Sequence, residues 1–200
     1  MTDEALARLD DAVRRTAELT RGRAASGLTH NDADDTAGTL ATDSALGFDP
    51  LPFLTALHAA GAQVVVIGQV AGILHGSTEL TGDLDLLWDG SAEQAKAIAA
   101  ALASVGGTLV EDDGSATEPT ADALRRNKCD FATPTASGDL CTPELPWGDQ
   151  DVAAYLGRAE SAVGAEVTVH YLRRADLVAM RRAVGRPKDL RRAEELERLG

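Results

Sequence analysis

The sequence predicts an α/β fold: a mixed, twisted sheet flanked by helices, with a C-terminal helical segment. Three observations carry that expectation. Val64 to Ile67 is an uninterrupted β-branched run of the kind that fills a buried strand. Glu166 to Leu172 alternates with the period of a strand, and Cys129 to Thr133 and Gly138 to Thr142 read as a hairpin around the Pro134 to Ser137 turn. Helical stretches with clear start and stop signals lie between and after them, ending with the pair Arg173 to Val184 and Pro187 to Leu199.

Taken in order, Thr2 to Thr20 reads as an amphipathic helix, because Leu6, Leu9, Val13 and Ala17 fall on one stripe. We take residues 1–20 as that N-terminal helix. Residues 21–47 shift to Gly, Ser, Thr, Asp and Ala with few large apolar residues, the composition of a flexible linker. The main domain spans 48–200. Asp49-Pro50 opens a helix that runs to Ala60 and stops at Gly61. After the Val64 to Ile67 strand, Gly68 turns the chain into a short helix, Val70 to His75, that Gly76 ends. Asp83 to Leu86 is the next strand. Ser91 caps a helix over Ala92 to Val105, Gly107 to Val110 is a strand, and Glu111 to Thr120 is an acidic loop. The hairpin follows, then a helix over Asp151 to Glu160, the Glu166 strand and the last two helices. The helices are expected mainly on one face and the site at one edge of the sheet.

Asp83 and Asp85 are the chemically telling pair. The strand period of two sends both carboxylates to one face and Leu84 and Leu86 to the other. Two coaligned carboxylates offer the hard oxygen ligands that Mg²⁺ prefers. The histidines read differently. His75 sits beside a helix-ending glycine, and His58 and His170 have no partner at zinc spacing.

The stretch Gln63 to Asp89, with its strand, glycine turn, short helix and Asp-x-Asp strand, resembles the nucleotidyltransferase superfamily of the polymerase-β type. IGQVAGILHGSTELTGDLDLL looks like small bacterial nucleotidyltransferases related to the AbiEii toxins. RRADLVAMRRAVGRPKDLRRAEELERL looks like their C-terminal segment, so the likeness covers Phe48 to Leu199. The resemblance implies transfer of a nucleoside monophosphate from a nucleoside triphosphate to an RNA or protein acceptor. It also implies Mg²⁺, and a toxin role with an antitoxin protein as partner. By the same resemblance Asp83 and Asp85 bind metal, and a third carboxylate from a later strand joins them. Cys141 stands where that Asp is usual, so Asp139, two residues away on the same strand face, is the expected third ligand and Asp130 the alternative. Gly68 and Gln69 would cradle phosphates through the backbone at the helix start. Arg181, Arg186 and Lys188 would reach the same phosphates. The departure at Cys141 leaves a second expectation, a catalytically reduced module of this fold that binds nucleotide or a partner.

Charge fits a triphosphate site better than broad nucleic-acid binding. The net charge is −13, yet Arg173 to Arg192 carries 8 basic against 2 acidic residues. No apolar run is long enough for a membrane helix, and the acidic start lacks a secretion-signal pattern, so the expected location is the cytoplasm with free thiols at Cys129 and Cys141.

Overall fold

The computed structural model describes residues 3–28 and 39–200. It is mixed α/β, with an eight-stranded mixed sheet and seven α-helices among those residues. The strands are β1 (Val65–Val66), β2 (Leu84–Leu87), β3 (Thr108–Val110), β4 (Ala116–Thr117), β5 (Lys128–Ala132), β6 (Ser137–Cys141), β7 (Glu160–Val163) and β8 (Thr168–Tyr171). Their spatial order is β4-β3-β5-β6-β2-β1-β8-β7. Only β2 with β6 and β1 with β8 pair in parallel; the other neighbours are antiparallel. The Asp-x-Asp strand therefore lies in the middle of the sheet rather than at its edge. The β5–β6 hairpin adds strands on one side of it, and β1, β8 and β7 extend it on the other.

The helices are α1 (Glu4–Thr20), α2 (Leu51–Ala59), α3 (Gly68–Leu74), α4 (Ala92–Ser104), α5 (Ala153–Leu156), α6 (Arg174–Val184) and α7 (Pro187–Arg198). Their starts follow capping chemistry. Asp3 accepts from the Ala5 N–H, Ser91 from the Gln94 N–H, and Pro187 opens α7. Leu6 and Leu9 are buried on the inner stripe of α1, and Arg8 donates to the Leu74 carbonyl, which ties this helix to the end of α3.

The register divides the sheet into two faces. Leu84, Leu86, Leu140 and Phe131 share one face and are fully buried. There α2 covers them, with the Phe53 and Phe131 rings 5.0 Å apart. The carboxylates of Asp85, Asp139 and Asp130 share the opposite face, which α6 and α7 border, so helices stand on both sides of the sheet.

Two segments differ from the sequence-based reading. The helix expected over Asp151 to Glu160 shrinks to α5 because Gly157 ends it and Glu160–Val163 pairs with β8 as β7. The acidic loop contains β4, which pairs back on β3 across a turn held by Asp113 accepting from the Ser115 N–H. The middle of the expected linker, 29–38, lies outside the described residues. Its described ends are joined: Asp43 accepts from the N–H groups of Ser26 and Gly27, and the two short 3₁₀ turns Thr39–Ala41 and Asp43–Ala45 bring Ala45 against Gly82.

Candidate active site

The eight residues expected to form a site all line one cleft of about 470 Å³. Gly68, Gln69, Asp83, Asp85 and Asp139 come from the sheet and the start of α3, while Arg181, Arg186 and Lys188 come from the α6–α7 hairpin. The ladder explains the carboxylate arrangement. Asp85 is the register partner of Asp139 on parallel β2 and β6, and Asp130 is the partner of Asp139 on antiparallel β5 and β6. Three carboxylates thus form a row across adjacent strands, whose spacing is about 5 Å. Gly138 lets the strands close up, since a Cβ there would lie 2.1 Å from the Leu84 carbonyl oxygen.

The turn at Gly68 is fitted to Asp85. Its φ is +63°, and a Cβ would lie 1.8 Å from Asp85 Oδ2, so only glycine fits both the backbone and the carboxylate. Asp83 is half-buried, but its Oδ1 is enclosed and makes no hydrogen bond with a described residue. Desolvation, reinforced by the neighbouring Asp139 charge, pushes the Asp83 carboxyl up to about 7. Lys188 is buried at the cleft wall and makes no hydrogen bond or ion pair with a described residue.

Other expected phosphate contacts are committed inside the protein. Gln69 donates to Ser77 Oγ at 3.0 Å and the Glu79 carbonyl at 2.7 Å, and its Oε1 accepts from Arg181 at 2.8 Å. Arg181, 4 % exposed, also donates to the carbonyls of Gly68 and Arg192, both at 3.0 Å. Burial, with Arg192 nearby, lowers its guanidinium to about 10, still charged at neutral pH. These two side chains therefore fasten the glycine turn to α6 and α7. Arg186 is half exposed and pairs with Asp189 at 2.6 Å. His75 Nε2 meets the Leu172 carbonyl at 2.8 Å, and burial lowers its pKa, in keeping with a structural role. Trp88 is core, whereas Trp147 lines the cleft with its indole N–H donated to the Thr142 carbonyl.

Sequence reasoning did not single out Lys128. Its Nζ stands 3.1 Å from Asp139 Oδ2 and 3.2 Å from Asp130 Oδ1. Burial opposes its charge, but the Asp139 and Asp130 carboxylates overcome that and hold the ammonium firmly protonated. The signal was present as Lys-x-Asp, which puts Lys128 on the face of Asp130 by the strand period. Arg192, paired with Glu79 at 2.6 Å, was likewise missed as a lining residue because helix periodicity does not reveal its partner 113 positions away.

The donor set fits a hard divalent cation at Asp83 and Asp85. The enclosed Asp83 oxygen, which makes no hydrogen bond with a described residue, gains from a nearby positive charge. Among the described residues no group of three or more His, Cys, Asp or Glu side chains closes into a metal cage. Such a site suits Mg²⁺, which commonly takes one or two carboxylates and fills its shell with water and phosphate oxygens. Cys141 does not fit as a ligand, because burial, with Asp139 and Asp85 nearby, pushes its thiol far up and keeps it protonated. No protein-family model matches this chain, and no curated protein sequence matches it.

Proposed function

We propose that this chain is a Mg²⁺-dependent nucleotidyltransferase of the polymerase-β type, which moves a nucleoside monophosphate from a nucleoside triphosphate to an RNA or protein hydroxyl. The observation that carries the reading is the pairing across one cleft of unlike groups. On one wall Asp83 has an enclosed oxygen that makes no hydrogen bond with a described residue, next to Asp85 and Asp139; on the other, Lys188 is a buried cation with no hydrogen bond or ion pair to a described residue. A metal–triphosphate complex satisfies both walls at once.

In this reading Asp83 and Asp85 hold Mg²⁺, which supplies charge stabilisation for the oxygens that gain charge at the α-phosphorus. Lys188 and Arg186 bind phosphate oxygens. Gln69 and Arg181 keep the glycine turn against Asp85. Asp139 orients the acceptor hydroxyl, whose oxygen bonds to the α-phosphorus as the bond to the pyrophosphate oxygen breaks and its proton passes to solvent. The sequence likeness to AbiEii-related proteins extends the reading to a cytoplasmic toxin opposed by an antitoxin protein. Among the described residues, no helix is long and apolar enough to cross a membrane.

The test is transfer of label from α-labelled nucleoside triphosphates into RNA or protein of a cell extract. Wild type should label an acceptor and release pyrophosphate, and Asp83→Asn with Asp85→Asn should do neither. Lys188→Met should weaken triphosphate binding by about 10- to 100-fold, the range of one lost charge-assisted hydrogen bond. Mg²⁺-dependent binding without transfer to any acceptor would make the chain a binding module, and absence of binding would remove the reading.

A further inference from the structure

We propose that the Lys128 ammonium is a built-in cation standing in for a second metal ion, so that the cleft works with one divalent ion per nucleotide. The inference rests on the nucleotidyltransferase reading and specifies its cation requirement.

The carboxylate row across β2, β6 and β5 concentrates three negative charges on one face of the sheet. Like charges directly opposite on paired strands repel, and a cation between them reverses the sign of that interaction. At the Asp139–Asp130 end, the protein provides its own. Lys128 precedes Asp130 by two residues on the same strand, and its Nζ bridges both carboxylates at 3.1 and 3.2 Å.

The opposite end of the cluster differs in its ion pairing. Asp83 and Asp139 each have an enclosed oxygen, but Asp139 holds Lys128 through its other oxygen, whereas Asp83 makes no ion pair with a described residue. A divalent ion is therefore favoured beside Asp83, whereas a second ion at Asp139 would have to displace an ammonium already in contact. The residue opposite Lys128 in the ladder is Cys141, a neutral buried thiol, so no further carboxylate compensates there. One cation site is left to the solvent's ions and one is covalently occupied.

The experiment is equilibrium dialysis of the full chain with Mn²⁺ and α,β-methylene adenosine triphosphate, which binds without transfer. Wild type should retain one Mn²⁺ per bound nucleotide, and Lys128→Met should retain two. The melting temperature of Lys128→Met should also rise more with Mn²⁺ than that of wild type, because the ion replaces the lost ammonium. Two Mn²⁺ per nucleotide in wild type would overturn the inference while leaving the transferase reading intact, whether or not the variant folds. One Mn²⁺ per nucleotide in a folded Lys128→Met would overturn it as well. No bound nucleotide in wild type would remove the transferase reading and this inference together.

Discussion

Arg181→Ala should destabilise the protein far more than an exposed arginine would. The guanidinium is almost fully buried and donates to three acceptors, the Gly68 and Arg192 carbonyls and Gln69 Oε1. Each hydrogen bond from a charged donor contributes about 1.5–3 kcal/mol, but the three share one side chain and do not add. Truncation also leaves buried acceptors without a donor. We expect a loss of about 3–5 kcal/mol, the range found when one partner of a buried charged network is removed. For a chain of this size that corresponds to a fall of about 6–20 °C in melting temperature. The assay is thermal unfolding followed by circular dichroism at neutral pH, with triphosphate binding measured below the transition. Lys188→Met is the control: that lysine makes no hydrogen bond or ion pair with a described residue, so its melting temperature should stay close to wild type while binding weakens. An Arg181→Ala protein that melts within about 2 °C of wild type, less than about 1 kcal/mol for this size, refutes the clamp.

Three further outcomes follow from the site. The Asp83 carboxyl is raised to about 7, above its unfolded value, so the folded state binds the extra proton and the associated stability is present below about pH 4 and lost as pH rises through 7. Asp83→Asn should flatten that part of the ligand-free stability profile, and a variant that keeps the wild-type slope would place the titration elsewhere. Gly68→Ala should cost about 1–2 kcal/mol for the left-handed backbone alone and should also displace Asp85, so Mn²⁺ binding is lost together with stability. Cys129 and Cys141 are both buried with raised thiol pKa values, so a disulfide reagent at pH 8 should label them only as fast as the native protein opens; rapid labelling would contradict the packing.

Local chemistry was legible in the sequence where a short pattern determines the outcome. The period of two in Gly82-Asp83-Leu84-Asp85 was enough to sort carboxylates from core leucines, and the glycine at 68, the serine at 91 and the proline at 187 marked element starts correctly. The last two helices were placed to within a residue or so for the same reason. Pairing partners were less accessible. The helix expected over Asp151 to Glu160 runs past its observed end because that stretch has helical composition, and only the ladder with β8 makes an extended strand of Glu160–Val163. The position of the carboxylates in the middle of the sheet depends on strand order, which no single segment encodes. Side chains whose role is set by distant partners were hardest. Gln69 and Arg181 resemble ligand contacts in sequence, yet each is consumed by the other, and Lys128 acquires meaning only when β5 is laid beside β6.

The clamp between Arg181 and the glycine turn also sets an order of events for a chain made from its N-terminus. The Gly68 carbonyl is synthesised 113 residues before the guanidinium that holds it, and Glu79 waits as long for Arg192. A nascent chain therefore displays its acidic row well before the basic hairpin exists to face it. Loop closure over such a span carries an entropy cost that the early segment cannot offset alone. The cleft is in this sense a late product of synthesis: a polypeptide released before its final helices would possess the acidic strand but neither the fastened turn nor Lys188. Incomplete copies of the protein would thereby carry the acidic wall of the cleft without the basic wall that faces it.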